Sequence, residues 1–130
     1  MSARILIVDD EDIVVRSCLR ILAETGYTLD VARSGAEALR KIDGATYDVL
    51  LLDIMMPQIN GLEVLQHVRQ KRPASEVIMF TGLSQAQTAL REQELGAFAY
   101  LPKPFDPEQL RELIAQALAR RHARAEHRAP

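Results

Sequence analysis

Four short apolar runs, each closed by a polar side chain, constrain this chain more than any other feature. Ile5-Leu6-Ile7-Val8 stops at Asp9 and Asp10, Val49-Leu50-Leu51-Leu52 at Asp53, and Val77-Ile78-Met79-Phe80 at Thr81. A shorter run, Ala99-Tyr100-Leu101, is followed by Lys103. Unbroken apolar runs of this kind are what strands look like when both faces of a sheet are covered. Longer stretches of helical period separate them, so the alternation predicts a parallel sheet with helices on both sides. Strands are expected over 4–9, 28–32, 48–53, 76–81 and 98–101. Right-handed crossovers then favour a doubly wound, five-stranded, flavodoxin-like α/β sheet in the order 2-1-3-4-5, an order taken from the class and not from residues.

Several helices announce their ends. Ser34-Gly35-Ala36-Glu37 and Ser84-Gln85-Ala86-Gln87 fit capping boxes, and Asp106-Pro107 puts proline at a first helical position. Gly26 and Gly96 stand where left-handed caps would close the first and fourth helices. Leu110, Leu113, Ile114, Ala117 and Leu118 form one buried stripe on the last helix. Beyond Leu118 the stripe fades, so residues 1–119 are read as one domain and 120–130 as a basic helix end, tail or linker.

A chain of 130 residues fits a single domain with a substantial core. Its net charge of −2 gives the domain no electrostatic case for direct nucleic acid binding. The single cysteine, Cys18, excludes an internal disulfide and reads as a small buried hydrophobe. Met1-Ser2-Ala3-Arg4 is not a signal peptide, and no apolar run approaches the ~20 residues of a membrane span, so a cytoplasmic protein with no membrane contact is expected. His67, His122 and His127 lack metal-ligand spacing and are expected to be exposed, without a role.

In a parallel sheet the C-terminal ends of strands one, three, four and five share an edge, which brings Asp9, Asp10, Asp53, Thr81 and Lys103 together. First-turn acids complementing a helix dipole would account for Asp12 better than for Asp9 and Asp10. Carboxylates gathered this closely need a cation, and a hard divalent ion such as Mg2+ suits them, especially if it also holds phosphate oxygens. Lys103 supplies a point charge for a phosphoryl oxygen and Thr81 a hydroxyl donor. The set describes phosphoryl transfer by positioning and charge neutralisation, with a carboxylate available as the covalent acceptor.

These motifs, Val8-Asp9-Asp10-Glu11, Leu52-Asp53-Ile54-Met55-Met56-Pro57 with Asn60-Gly61, Phe80-Thr81-Gly82 and Tyr100-Leu101-Pro102-Lys103-Pro104-Phe105, resemble those of the receiver domain of bacterial two-component response regulators. The resemblance runs from Ile5 to about Leu118. It implies a phosphorylation-activated signalling switch and not an enzyme, one that promotes only its own phosphorylation and dephosphorylation. Asp53 would accept a phosphoryl group from a sensor histidine kinase or phosphotransfer protein. Asp10, Asp53 and the Met55 carbonyl would ligate Mg2+ directly, with Asp9 acting mainly through water. Thr81 and Lys103 would bind the phosphoryl group, and Tyr100 would change rotamer as the surface of the fourth helix, fifth strand and fifth helix responds. Lys103-Pro104 resembles the family's cis peptide. A downstream effector domain or protein is implied, and a phosphorylation-dependent homodimer is compatible. Met55 and Leu83, two residues past Asp53 and Thr81, are both apolar and suggest slow hydrolysis of the phosphoryl group.

Two other readings compete. A phosphoaspartyl hydrolase of the haloacid dehalogenase type would use Asp10 as nucleophile, but leaves Asp53 unexplained in a chain short for such an enzyme. A degenerate receiver serving only as an interaction module is opposed by the completeness of the acid, hydroxyl and lysine set. A nucleotide-binding loop is disfavoured by the scatter of the six glycines.

Overall fold

Side chains along a strand point alternately to the two faces of its sheet, and here both faces are apolar. The computed structural model describes residues 3–81 and 96–128. Strands β1 (Arg4–Val8), β2 (Thr28–Ala32), β3 (Val49–Asp53), β4 (Glu76–Thr81) and β5 (Ala99–Pro102) alternate with helices α1 (Asp12–Leu22), α2 (Gly35–Gly44) and α3 (Gly61–Lys71), and a C-terminal helix spans Pro107–Arg128. The expected capping box at Ser84 and the helix it would open lie outside the described residues. All strand pairs are parallel and the order is β2-β1-β3-β4-β5, as the class predicts.

Leu6, Val8, Leu50, Leu52, Val77 and Met79 face one way, into a layer shared with Ala38 and Ile42 of α2 and Val64, Leu65 and Val68 of α3. Ile5, Ile7, Val49, Leu51, Ile78 and Phe80 face the other way, against Cys18 and Leu22 of α1 and Leu110, Ile114 and Ala117 of the C-terminal helix. Each such side chain buried in full contributes about 1.5–3 kcal/mol, so the central strands are fixed in depth and register. Cys18 is the buried hydrophobe expected, and burial pushes its thiol up to about 12.

Local chemistry sets the element ends. β1 stops at Val8, one residue earlier than expected, because the Asp9 carboxylate accepts the Glu11 amide at 2.9 Å and turns the chain. At α2 the Ser34 hydroxyl accepts the Glu37 amide at 3.1 Å, but the Glu37 carboxylate takes the amide of Arg33, one residue before the cap. Asn60 caps α3 by accepting the Glu63 amide. Gly26 and Gly96 both have the positive φ expected, 83° and 91°. Gly26, however, stands past the C-cap residue Ala23, in the turn entering β2.

The basic segment after residue 119 continues the helix, which runs to Arg128, and Arg120 and Arg121 turn back onto the sheet, with ion pairs to Glu76 at 3.0 Å and Asp48 at 3.3 Å. One expectation changes. His67 is half-buried instead of exposed, its Nε2 lying 2.7 Å from Asp43 Oδ1 and joining α3 to the end of α2. That bond holds the Asp43 carboxyl below its ordinary range.

Candidate functional site

Register decides where the polar residues arrive. Val8 pairs with Leu52, Asp53 with Phe80, and Thr81 with Pro102, so four strands release their next residues along one edge. Ligand sites of open α/β sheets form at this edge. Asp9, Asp10 and Asp53 each bring a carboxylate oxygen within 4.8 Å of the others. Asp9 and Asp53 are buried, whereas Asp10 faces solvent. Lys103 reaches into the group, its Nζ 3.0 Å from Asp9 Oδ2 and 3.3 Å from Asp53 Oδ1.

The acids are held as well as gathered. Asp9 uses one oxygen on the Glu11 amide and the other on Lys103. Asp53 Oδ1 accepts the amide of Met55 at 3.2 Å. Gly61 is required beneath it, because a Cβ at that position would overlap the Asp53 carbonyl; only a bare backbone lets α3 start this close to β3. On the far side Phe105 stacks on Phe80 with ring centroids 4.9 Å apart, which fixes the loop carrying Lys103. The Lys103–Pro104 peptide is cis, as the resemblance suggested.

Burial dominates the electrostatics. It raises the Asp53 carboxyl to about 6, the Asp9 charge adds to the rise, and Lys103 and the Met55 amide oppose it. Asp9 is raised too, again chiefly by burial. For Lys103 burial acts downward, but its bond to Asp9 and the charges of Asp9 and Asp53 outweigh it and the ammonium is favoured. One lysine leaves these acids incompletely neutralised. A donor set made only of oxygens, compact and short of positive charge, fits a hard divalent cation.

The remaining candidates are placed less fully. Thr81 ends β4 on the correct edge, but its side chain, like Leu83, lies outside the described residues. Tyr100, on β5, pairs with Met79 of β4 and packs half-buried against the α2–α3 layer. Met55 is exposed on the rim. Sequence reasoning gave no role to Glu11, whose carboxylate lies 3.3 Å from Lys103, or to Phe105 as the clamp on the lysine loop.

A family model described as the response regulator receiver domain matches residues 5–115. The chain belongs to the receiver domain family. Receiver domains of response regulators are signalling domains. This receiver is 41% identical over 110 residues to the response regulator MprA of Mycobacterium ulcerans, covering 85% of this chain and 47% of MprA. It is 39% identical over 120 residues to the transcriptional regulator NtrC of Escherichia coli K12, covering 92% of this chain and 26% of NtrC. The chain thus spans about half or less of these relatives. Among solved structures, a CheY-like receiver domain protein from Methanospirillum hungatei superposes with a TM-score of 0.89 at 33% identity, covering 95% of this receiver and 99% of that chain. NtrX of Brucella abortus superposes with a TM-score of 0.91 at 28% identity, over 97% of this receiver and 29% of that protein. Among the described residues no helix is long and apolar enough to cross a membrane.

Proposed function

We propose that this receiver is a cytoplasmic switch of a two-component phosphorelay, with Asp53 as its phosphoacceptor. The observation that carries this reading is a buried carboxylate at the end of the central strand with an ammonium 3.3 Å away and two further acids beside it. A carboxylate oxygen of Asp53 attacks phosphorus as the bond to the donor imidazole breaks, and a water later attacks the same phosphorus to release phosphate and restore the carboxylate. Lys103 and the Thr81 hydroxyl bind the transferred group, and Tyr100 turns inward as Thr81 is drawn toward it, which alters the surface around the last strand and the C-terminal helix. Asp10, Asp53 and the Met55 carbonyl would hold Mg2+, with Asp9 acting through water, and the ion would supply the positive charge that the phosphoryl oxygens require. Engagement of both Asp9 oxygens within the protein supports its indirect part. Apart from transfer to and from its own aspartate the receiver carries no catalytic activity, and its signal passes to an effector domain or protein.

The donor is a sensor histidine kinase or phosphotransfer protein, and a groove supports where it docks. Ile13, Val14, Ile21, Phe105 and Pro107 line a mostly apolar groove of about 460 Å³ that Glu11, Arg20 and Lys103 also border. Ile13 is 73% exposed and Met55 64%, the exposed large hydrophobics among the described residues. Both lie near the site, as a partner burying apolar surface around it would require.

Incubation with acetyl phosphate and Mg2+, read by intact mass and peptide mapping, is expected to add one phosphoryl group at Asp53. Asp53→Asn should take up none, and stoichiometric labelling of that variant would remove Asp53 from the role. Ile13→Ser should slow transfer from a phosphohistidine protein severalfold while leaving labelling by acetyl phosphate unchanged; equal rates would place docking elsewhere.

A further inference from the structure

Lys103 serves three carboxylates, and the third, Glu11, stands outside the buried pair of Asp9 and Asp53. Glu11 lies 3.3 Å from its Nζ, with a side chain 57% exposed where that of Asp9 is fully buried. Glu11 is also the N-cap residue of α1, a position that favours Ser, Thr, Asp or Asn because their short side chains reach the first free amides. It makes no such side-chain cap. Its backbone carbonyl receives the amides of Val14 and Val15, as any residue there would. The carboxylate instead crosses to an ammonium 92 residues further along the chain. The helix that Glu11 begins therefore does not account for a glutamate.

We propose that Glu11 is a positioning residue that holds Lys103 in the unphosphorylated receiver and competes with the phosphoryl group for its ammonium. The proposal rests on Asp53 as phosphoacceptor. With the pocket unphosphorylated, the ammonium lies between the two buried acids and Glu11. A phosphoryl group on Asp53 adds a further anionic demand on the same three N–H donors, and each share given to Glu11 at the rim is lost to the phosphoryl oxygens inside. Glu11 thereby biases the switch toward its unphosphorylated state. Because the pair is half in solvent its weight is modest, about two- to fivefold in an equilibrium constant.

Aspartate at position 11 separates contact from charge. It keeps the negative charge and is the better N-cap, but it is one methylene shorter and falls short of Nζ. Parent, Glu11→Gln and Glu11→Asp proteins are titrated with beryllofluoride at saturating Mg2+, following amide shifts around Asp53. Both variants are expected to bind about two- to fivefold more tightly than the parent. Unchanged or weaker binding by Glu11→Gln overturns the proposal. Tighter binding by Glu11→Gln with parental affinity in Glu11→Asp overturns it as well, since charge without contact would then suffice. A parent that binds no beryllofluoride at all fails at the earlier step and removes the phosphoacceptor reading.

Discussion

Asp53 is subject to opposing demands. The nucleophilic role proposed for Asp53 needs it ionised, yet burial raises its carboxyl from an ordinary 3.8 to about 6. Between those values the folded protein keeps a proton that the unfolded chain has released. In the absence of metal this residue's contribution to stability is therefore most favourable below 3.8 and declines as pH rises to about 6. At 1.36 kcal/mol per pH unit the decline amounts to at most about 3 kcal/mol. Asp53→Asn keeps the shape without the charge, so in EDTA at pH 7 it is expected to exceed the parent by about 1–3 kcal/mol and to lose that advantage near pH 4, as urea denaturation would measure. Met55 gives a second test. Its exposed, apolar side chain cannot orient an attacking water, so Met55→Asn should shorten the lifetime of the phosphorylated form severalfold after donor removal; equal decay would relieve position 55 of that role. Asp9, Asp10, Asp53 and Lys103 were legible in the sequence because each follows an apolar run that fixes its place on one edge. Glu11 and His67 were not, because their partners, Lys103 and Asp43, lie 92 and 24 residues away and no periodicity links such pairs.

At the level of elements, precision at the site depends on how closely α3 begins behind β3. Gly61→Ala would drive a methyl group into the Asp53 carbonyl. Overpacking of this kind is expected to lower stability by about 1–3 kcal/mol and to slow labelling by acetyl phosphate, read on the same protein by denaturation and by mass. A variant with parental stability and rate would mean that α3 can retreat without disturbing the acceptor. The sequence showed a glycine closing the loop but not the backbone it approaches, since only tertiary structure brings residue 61 under residue 53. Strand identities were legible for the opposite reason: a run buried on both faces needs no partner to be recognised. Caps were legible as residue types and less so as geometry. Ser34 accepts the amide expected, whereas Glu37 bonds one residue away from its expected partner, a shift that a local pattern does not encode.

For the molecule as a whole, the fading apolar stripe after Leu118 concealed a change in what holds the helix. Arg120 and Arg121 replace hydrophobic contact with ion pairs to Glu76 and Asp48, and Arg120 also lies 5.4 Å from the centre of the Phe98 ring. Truncation after Ala119 is expected to lower stability by about 1–2 kcal/mol, because it strips the buried Glu76 carboxylate of an arginine, while truncation after Ala123 should remain within about 0.5 kcal/mol of the parent. Equal denaturation midpoints for the two would show that the arginines do not anchor the helix. The bond between Lys103 and Asp9 also spans 94 residues of chain, and that span is a duration. A ribosome adding about 5–20 residues each second makes Lys103 roughly 5–20 s after Asp9. By the time Asp53 is made, β1, β2 and β3 have all been synthesised, and until Lys103 follows the nascent chain carries its acids with only solvent and mobile cations to temper them. The ammonium that comes to lie among these acids is the last of the charged groups at this edge to be synthesised.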